Sequence, residues 1–144
     1  MNTVNEEVGV QHLVQAMQSG SLPRAQWTHA AHLVVGTWHV HTLGLSEALQ
    51  AMPTLIRAYN VATGTANSDS SGYHETLTVA YLREIARQLS ALSLPVELST
   101  AVQTVLSSDL ARSDWPLRYW SRERLGSVAA RRSWIEPDLA PLPV

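Results

Sequence analysis

Cysteine and lysine are both absent from this 144-residue chain. Without cysteine there is no disulfide, no thiolate nucleophile and no cysteine-type zinc site. A metal would have to be held by His, Asp or Glu, a donor set that suits zinc, manganese or iron. Without lysine there is no Schiff-base chemistry, and all ten basic residues are arginine. That bias, with abundant Ala and Val, points to a GC-rich bacterial source. Charge is scarce as well: 15% of residues are charged against 45% hydrophobic, and the formal net charge is −2. Such a balance offers no global attraction to nucleic acid or to an anionic membrane, so neither is expected as a partner. It leaves apolar surface to cover, which is compatible with a homodimer.

Three sequence signals are missing too. Met1 to Glu7 has no basic n-region and no apolar h-region, so a signal peptide is not expected and a cytoplasmic location is. Residues 25–46 carry no Asp, Glu, Lys or Arg, yet histidines, threonines and Gly36 interrupt the stretch. A buried helix accounts for it better than a membrane span. Neither a Gly-rich phosphate loop nor a G-x-S-x-G nucleophile elbow occurs.

What is present reads as one all-α domain over residues 1–144, long enough to bury roughly two-thirds of its unfolded surface. Thr3 and Glu6 have capping-box spacing, which starts a first helix that stops before Gly20. Thr28 is placed to cap a second helix ending at Gly44. Ser46 is expected to cap a third, from Glu47 to about Asn60, kinked or divided by Pro53. Residues 62–72 form a small, polar, flexible loop. A fourth helix runs from about Tyr73 to Leu92 with Leu77, Leu82, Ile85 and Leu89 on its core face. Pro95 opens a fifth, ending near Ser107. One or two short arginine-rich helices and an extended tail from Glu136 follow. With no alternating strand pattern, the expectation is a helical bundle of about five main helices.

Two histidine elements carry the candidate chemistry. In Trp27-Thr-His29-Ala-Ala-His32-Leu33 the two histidines are i, i+3 and share one helix face, so both imidazoles could reach one metal ion. On a helical wheel His29, His32, Gly36 and His39 fall within about 80° of arc. In Gly72-Tyr73-His74-Glu75-Thr-Leu-Thr78 the His-Glu pair resembles the start of the H-E-x-x-H zincin motif. Thr78 stands where the second histidine should be, so the zincin mechanism does not carry over whole. His29, His32 and His74 would give three nitrogen ligands and an open position. Glu75, next to a ligand, would then be the general base or a fourth ligand, and without a metal Glu75 and His74 would be the acid–base pair, with Tyr73 and His39 as substrate contacts. The bland alternatives are satisfied core histidines and a glutamate favoured by the helix dipole. In Trp115-Pro-Leu-Arg118-Tyr-Trp-Ser-Arg122 the two arginines, at i and i+4, are candidates to grip a carboxylate or phosphate. Six arginines face five acidic residues over 109–138, which argues against a phosphate-tracking surface and leaves a salt-bridged helix as the plain alternative.

The segments Trp-Thr-His-x-x-His-Leu, Gly-Tyr-His-Glu-Thr-x-Thr and Arg-Tyr-Trp-Ser-Arg-Glu-x-Leu resemble those of an uncharacterised family of short bacterial helical proteins. The resemblance marks the three as belonging together and implies no activity. The residues themselves lead to the expectation of a small helical enzyme, a metal-assisted hydrolase or lyase acting on a small molecule. The alternatives are a metal-free acid–base isomerase or cyclase, and a non-catalytic module that binds a small molecule or a protein.

Overall fold

The computed structural model describes residues 3–93 and 95–144, with side chains from Glu6 onward. The capping role expected of Thr3 therefore lies outside the described side chains. Helix of one kind or another covers 65% of the chain, and no strand occurs among the described residues. The α-helices are α1 (Thr3–Gln18), α2 (His29–Leu43), α3 (Leu45–Ala62), α4 (Glu75–Ser90), α5 (Leu98–Leu106), α6 (Arg122–Leu125) and α7 (Val128–Arg132). Short 3₁₀ turns cover Arg24–Gln26, Asp109–Ala111 and Trp115–Arg118.

The uncharged stretch becomes α2, and it is the centre of the bundle. Thr28 caps it, its hydroxyl accepting from the Ala31 N–H at 3.2 Å, and Gly44 ends it with φ at 85°. At 15 residues it is about 22 Å long, short of the ~30 Å a membrane needs. No helix among the described residues is long and apolar enough to cross one. Instead α2 packs against α1, α3, α4 and α5, which buries Ala31, Leu33, Val35, Thr37, His39 and Val40 around its circumference. The polar members of that set bond within the helix, Thr37 Oγ1 to Leu33 O and His39 Nδ1 to Val35 O. Their burial thus leaves no unmet donor at those atoms.

Three features differ from expectation. Pro95 opens no helix, since α5 starts at Leu98 after Glu97. Ser46 caps nothing, because α3 begins at Leu45 directly after Gly44. Pro53 does not divide α3, which continues for 18 residues. Ala48, Met52, Ile56 and Tyr59 are buried on both sides of the proline, and packing of that shared face outweighs the hydrogen bond Pro53 cannot make. The loop after α3 carries hydrogen bonds that its composition does not announce. Asn67 Oδ1 accepts from Asn60 Nδ2 and from the Tyr73 N–H, while Asn67 Nδ2 donates to Arg57 O. Arg132 adds a two-pronged ion pair to Asp69. Gly72, with φ at 79°, closes the loop where any Cβ would run into Ala66 O and Asn67.

The segment after α5 is a wrap laid over α4 and the start of α2. Thr76 Oγ1 donates to Ser133 O and accepts from the Ile135 N–H. Trp120 is fully buried and donates from Nε1 to Ile135 O at 3.1 Å. Burying an aromatic that size contributes about 2–3 kcal/mol, so the tail is held by packing as well as by hydrogen bonds. The wrap roofs a space between α2, α3 and α4.

Candidate functional site

That space is a cavity of about 550 Å³ open on one side. Its walls are largely apolar: Leu33 from α2, Met52 and Ile56 from α3, Leu82 and Ile85 from α4, Pro116 and Leu117 from the wrap. Gly36 forms part of the floor, where an added Cβ would lie 3.2 Å from Ile85 Cδ1. The missing side chain both lets α4 approach α2 and leaves room above. Six polar residues reach the lining: His29, His32, Thr78, Tyr81, Ser113 and Arg122. Few polar groups converging on an apolar hollow is the usual make-up of a small-molecule site.

The two histidines stand at the first turn of α2 and are each fixed through one nitrogen. His29 Nε2 lies 2.7 Å from Leu110 O, and His32 Nδ1 lies 2.7 Å from Thr28 O. A carbonyl oxygen only accepts, so those nitrogens carry the protons. In the neutral rings His29 Nδ1 and His32 Nε2 are then the basic atoms, and neither has a partner among the described residues. The His32 ring stacks on Trp27 at 3.7 Å, and His29 meets the edge of Tyr81 at 5.6 Å. Desolvation by the surrounding protein lowers the His32 pKa. The Thr28 bond opposes this, while His29 and Arg24 reinforce it. The positive end of the α2 dipole acts in the same direction. Across the hollow the Tyr81 hydroxyl is pushed up to about 12, first by burial and then by Asp114. At neutral pH the pair is a neutral base and a protonated phenol.

The other candidates sit elsewhere. His74 does not join His29 and His32, because both of its nitrogens are occupied. Nε2 donates to Leu125 O at 2.8 Å and Nδ1 accepts from the Leu77 N–H at 3.1 Å. It is the N-cap of α4, and desolvation, more than the Leu125 bond restores, lowers its pKa. Glu75 accepts from the Tyr73 hydroxyl at 2.5 Å. Tyr73 is buried beneath the Arg57 guanidinium, 4.3 Å from the ring centre, and burial followed by the Glu75 bond raises its pKa. None of Tyr73, His74 and Glu75 lines the cavity, nor does any residue of the 62–72 loop. His39 lies one turn beyond the cavity floor, 2% exposed. Among the described residues no three His, Asp or Glu side chains are grouped to hold a metal ion. The donor set for zinc, manganese or iron reduces to two nitrogens, one each from His29 and His32.

The arginine pair also separates. A helix through Arg118 and Arg122 would align them, but the 3₁₀ turn ends at Arg118 and Ser121 caps a new helix, α6. Arg118 turns to Asp109 at 2.9 Å and borders a second, polar hollow of about 420 Å³ with Glu84 and Arg87. Only Arg122 lines the apolar cavity.

Thr78, Tyr81 and Ser113 are members of the lining that the motifs did not flag. For the first two a signal existed. Leu77, Thr78, Tyr81, Leu82 and Ile85 follow one stripe of α4, and a threonine and a tyrosine on a stripe otherwise apolar mark a wall that faces something polar. Ser113 lies in a turn and carried no such signal. No family model, no curated protein and no solved structure matches the chain.

Proposed function

We propose that the chain is a small acid–base enzyme that binds a largely apolar molecule in the α2–α3–α4 cavity and moves a proton on it. His32 acts as the base and Tyr81 as the hydrogen-bond donor to a carbonyl or enolate oxygen. The observation that carries this reading is the fixed tautomer of His32: Nδ1–H is bound to Thr28 O, and Nε2 is left basic on the wall of an apolar hollow. A neutral histidine held in one tautomer is suited to abstract a proton near pH 7. A protonated tyrosine in low dielectric stabilises the oxygen on which charge develops. Isomerisation of an activated carbon acid is a reaction class these two groups can serve: His32 takes the proton from one carbon and returns it to another, while Tyr81 holds the enolate oxygen.

The test is protein-dependent exchange of α-hydrogens for deuterium in small apolar ketones and keto acids, followed by mass spectrometry. His32→Gln should lower exchange by roughly 10²–10⁴-fold, the usual share of a general base. Exchange no faster with the wild-type protein than with His32→Gln, for every compound tried, would refute the assignment.

A metal-assisted hydrolase or lyase is the second reading, favoured by one feature: two free histidine nitrogens at i, i+3 on one cavity wall. It would draw on His29 and His32 alone, with Lewis-acid activation as the chemistry supplied. Stoichiometric retention of zinc, manganese or iron on dialysis, lost in His29→Ala, would move the balance to it.

A further inference from the structure

We infer that the ligand of this cavity is a monoanion, an apolar body carrying one carboxylate that docks on Arg122. The inference rests on the cavity's being the binding site proposed above, and it adds the chemical class of the occupant.

Arginine bookkeeping in the C-terminal wrap singles out this residue. Arg112 pairs with Asp114, Arg118 with Asp109 and Arg132 with Asp69. Arg124 donates to Glu136 O, and Arg131 to Gly72 O and Tyr73 O. Arg122 alone of these six has a guanidinium with no hydrogen bond or ion pair among the described residues, and it alone lines the apolar cavity. The lining contains no Asp or Glu to answer it. A guanidinium left unpaired at the rim of an apolar hollow is a ready carboxylate receptor, since the planar fork matches two carboxylate oxygens.

The segment that carries Arg122 is held firmly although its guanidinium is not. The Ser121 N–H and hydroxyl both donate to the Asp138 carboxylate, at 2.8 and 2.7 Å, and the Ser121 oxygen caps α6 at the Arg124 N–H. The hydrogen bonds to Ser121 hold the Asp138 carboxyl below the usual carboxylate range. The tail thus fixes the backbone from which Arg122 projects, and less ordering remains to be done when a ligand binds. One guanidinium, with a neutral His32 and a protonated Tyr81 beside it and no carboxylate in the lining, matches a single negative charge. The apolar walls on α2, α3 and α4 match the remainder of the molecule.

Calorimetric titration with phenylbutyrate, phenylbutanol and phenylbutylamine tests this, because the three share one apolar body and differ in head group. The acid should bind about tenfold or more tightly than the alcohol, and the amine weakest. In Arg122→Gln the preference for acid over alcohol should vanish while the alcohol binds as before. In Arg118→Gln, whose partner lies in the other hollow, the preference should persist. Equal binding of acid and alcohol to the wild-type protein overturns the monoanion inference and leaves the cavity as a binding site. Binding of none of the three overturns the cavity reading and the inference with it.

Discussion

Mild acid should destabilise this protein through two histidines that have no part in the cavity. His39 and His74 are both held below their ordinary 6.5, in each case chiefly by burial. The bonds to Val35 O and Leu125 O pull the other way without cancelling it. The folded protein therefore favours the neutral rings, and the unfolded chain takes up protons first as the pH falls through 6.5. Stability from these groups is complete above 6.5 and is lost going downward. The loss ends where the pH meets the folded-state pKa and both states are protonated. Within that window each group changes the unfolding free energy by up to about 1.4 kcal/mol per pH unit, so the two together approach about 2.7. Against a typical domain stability of about 5–15 kcal/mol the effect is large. His32 titrates in the same direction, but the residue is solvent-exposed, and screening reduces its share.

Urea denaturation followed by circular dichroism at a series of pH values from about 7.5 to about 5 measures the slope directly. His74→Asn keeps a side chain able to cap α4 and removes one titrating group, so its slope should fall by up to about 1.4 kcal/mol per pH unit. His39→Gln should do the same from a lower starting stability. A stability that stays flat over the window, or a slope unchanged in both variants, would show that these rings are not buried neutral and would refute the reasoning.

His74→Ala should cost about 1–2 kcal/mol by urea denaturation, losing the α4 cap and the Leu125 bond. It should leave phenylbutyrate binding intact. Glu75→Gln should leave deuterium exchange within about threefold of wild type, since the carboxylate faces Tyr73 and not the cavity; a fall of ~10² or more would reinstate it as the base. Gly36→Leu should abolish phenylbutyrate binding by filling the floor of the hollow, at a cost of about 1–3 kcal/mol from contact with Ile85 and Leu82. Asn67→Ala should cost about 1–2 kcal/mol and open the 62–72 loop to limited proteolysis, because three hydrogen bonds depend on that one amide.

The helices were legible because their signals are local. Thr28, Gly44 and the apolar stripe of α4 announce themselves within a turn or two of sequence, and the structure places caps and buried faces there. Pro53 does not divide α3, and the reason is not local. A proline's cost is local, but what offsets it is the burial of Met52 and Ile56 against helices elsewhere in the chain. The hydrogen bonds of the loop were hidden in the same way. Its small polar residues carry no sign that Asn67 will find Asn60, Arg57 and Tyr73.

The candidate site was legible only as a set of residue types, since the chemistry proposed for it depends on which nitrogen each histidine has left. His29, His32 and His74 look alike in sequence, and each makes one strong bond to a backbone carbonyl in the fold. They part company at the second nitrogen. His74 occupies a helix N-cap, where the Leu77 N–H needs an acceptor, and so its remaining lone pair is consumed by secondary structure. His32 lies inside a helix, where its own turn supplies the acceptor at Thr28 O and demands nothing of Nε2. A histidine at a cap is thus spent on the backbone, whereas one four residues after the cap keeps a basic atom to present. The same distinction divides Arg118 from Arg122: Arg118 meets Asp109 across a turn, and Arg122 meets no carboxylate among the described residues. In both pairs the functional candidate is the residue whose fold neighbours leave a bond unmade.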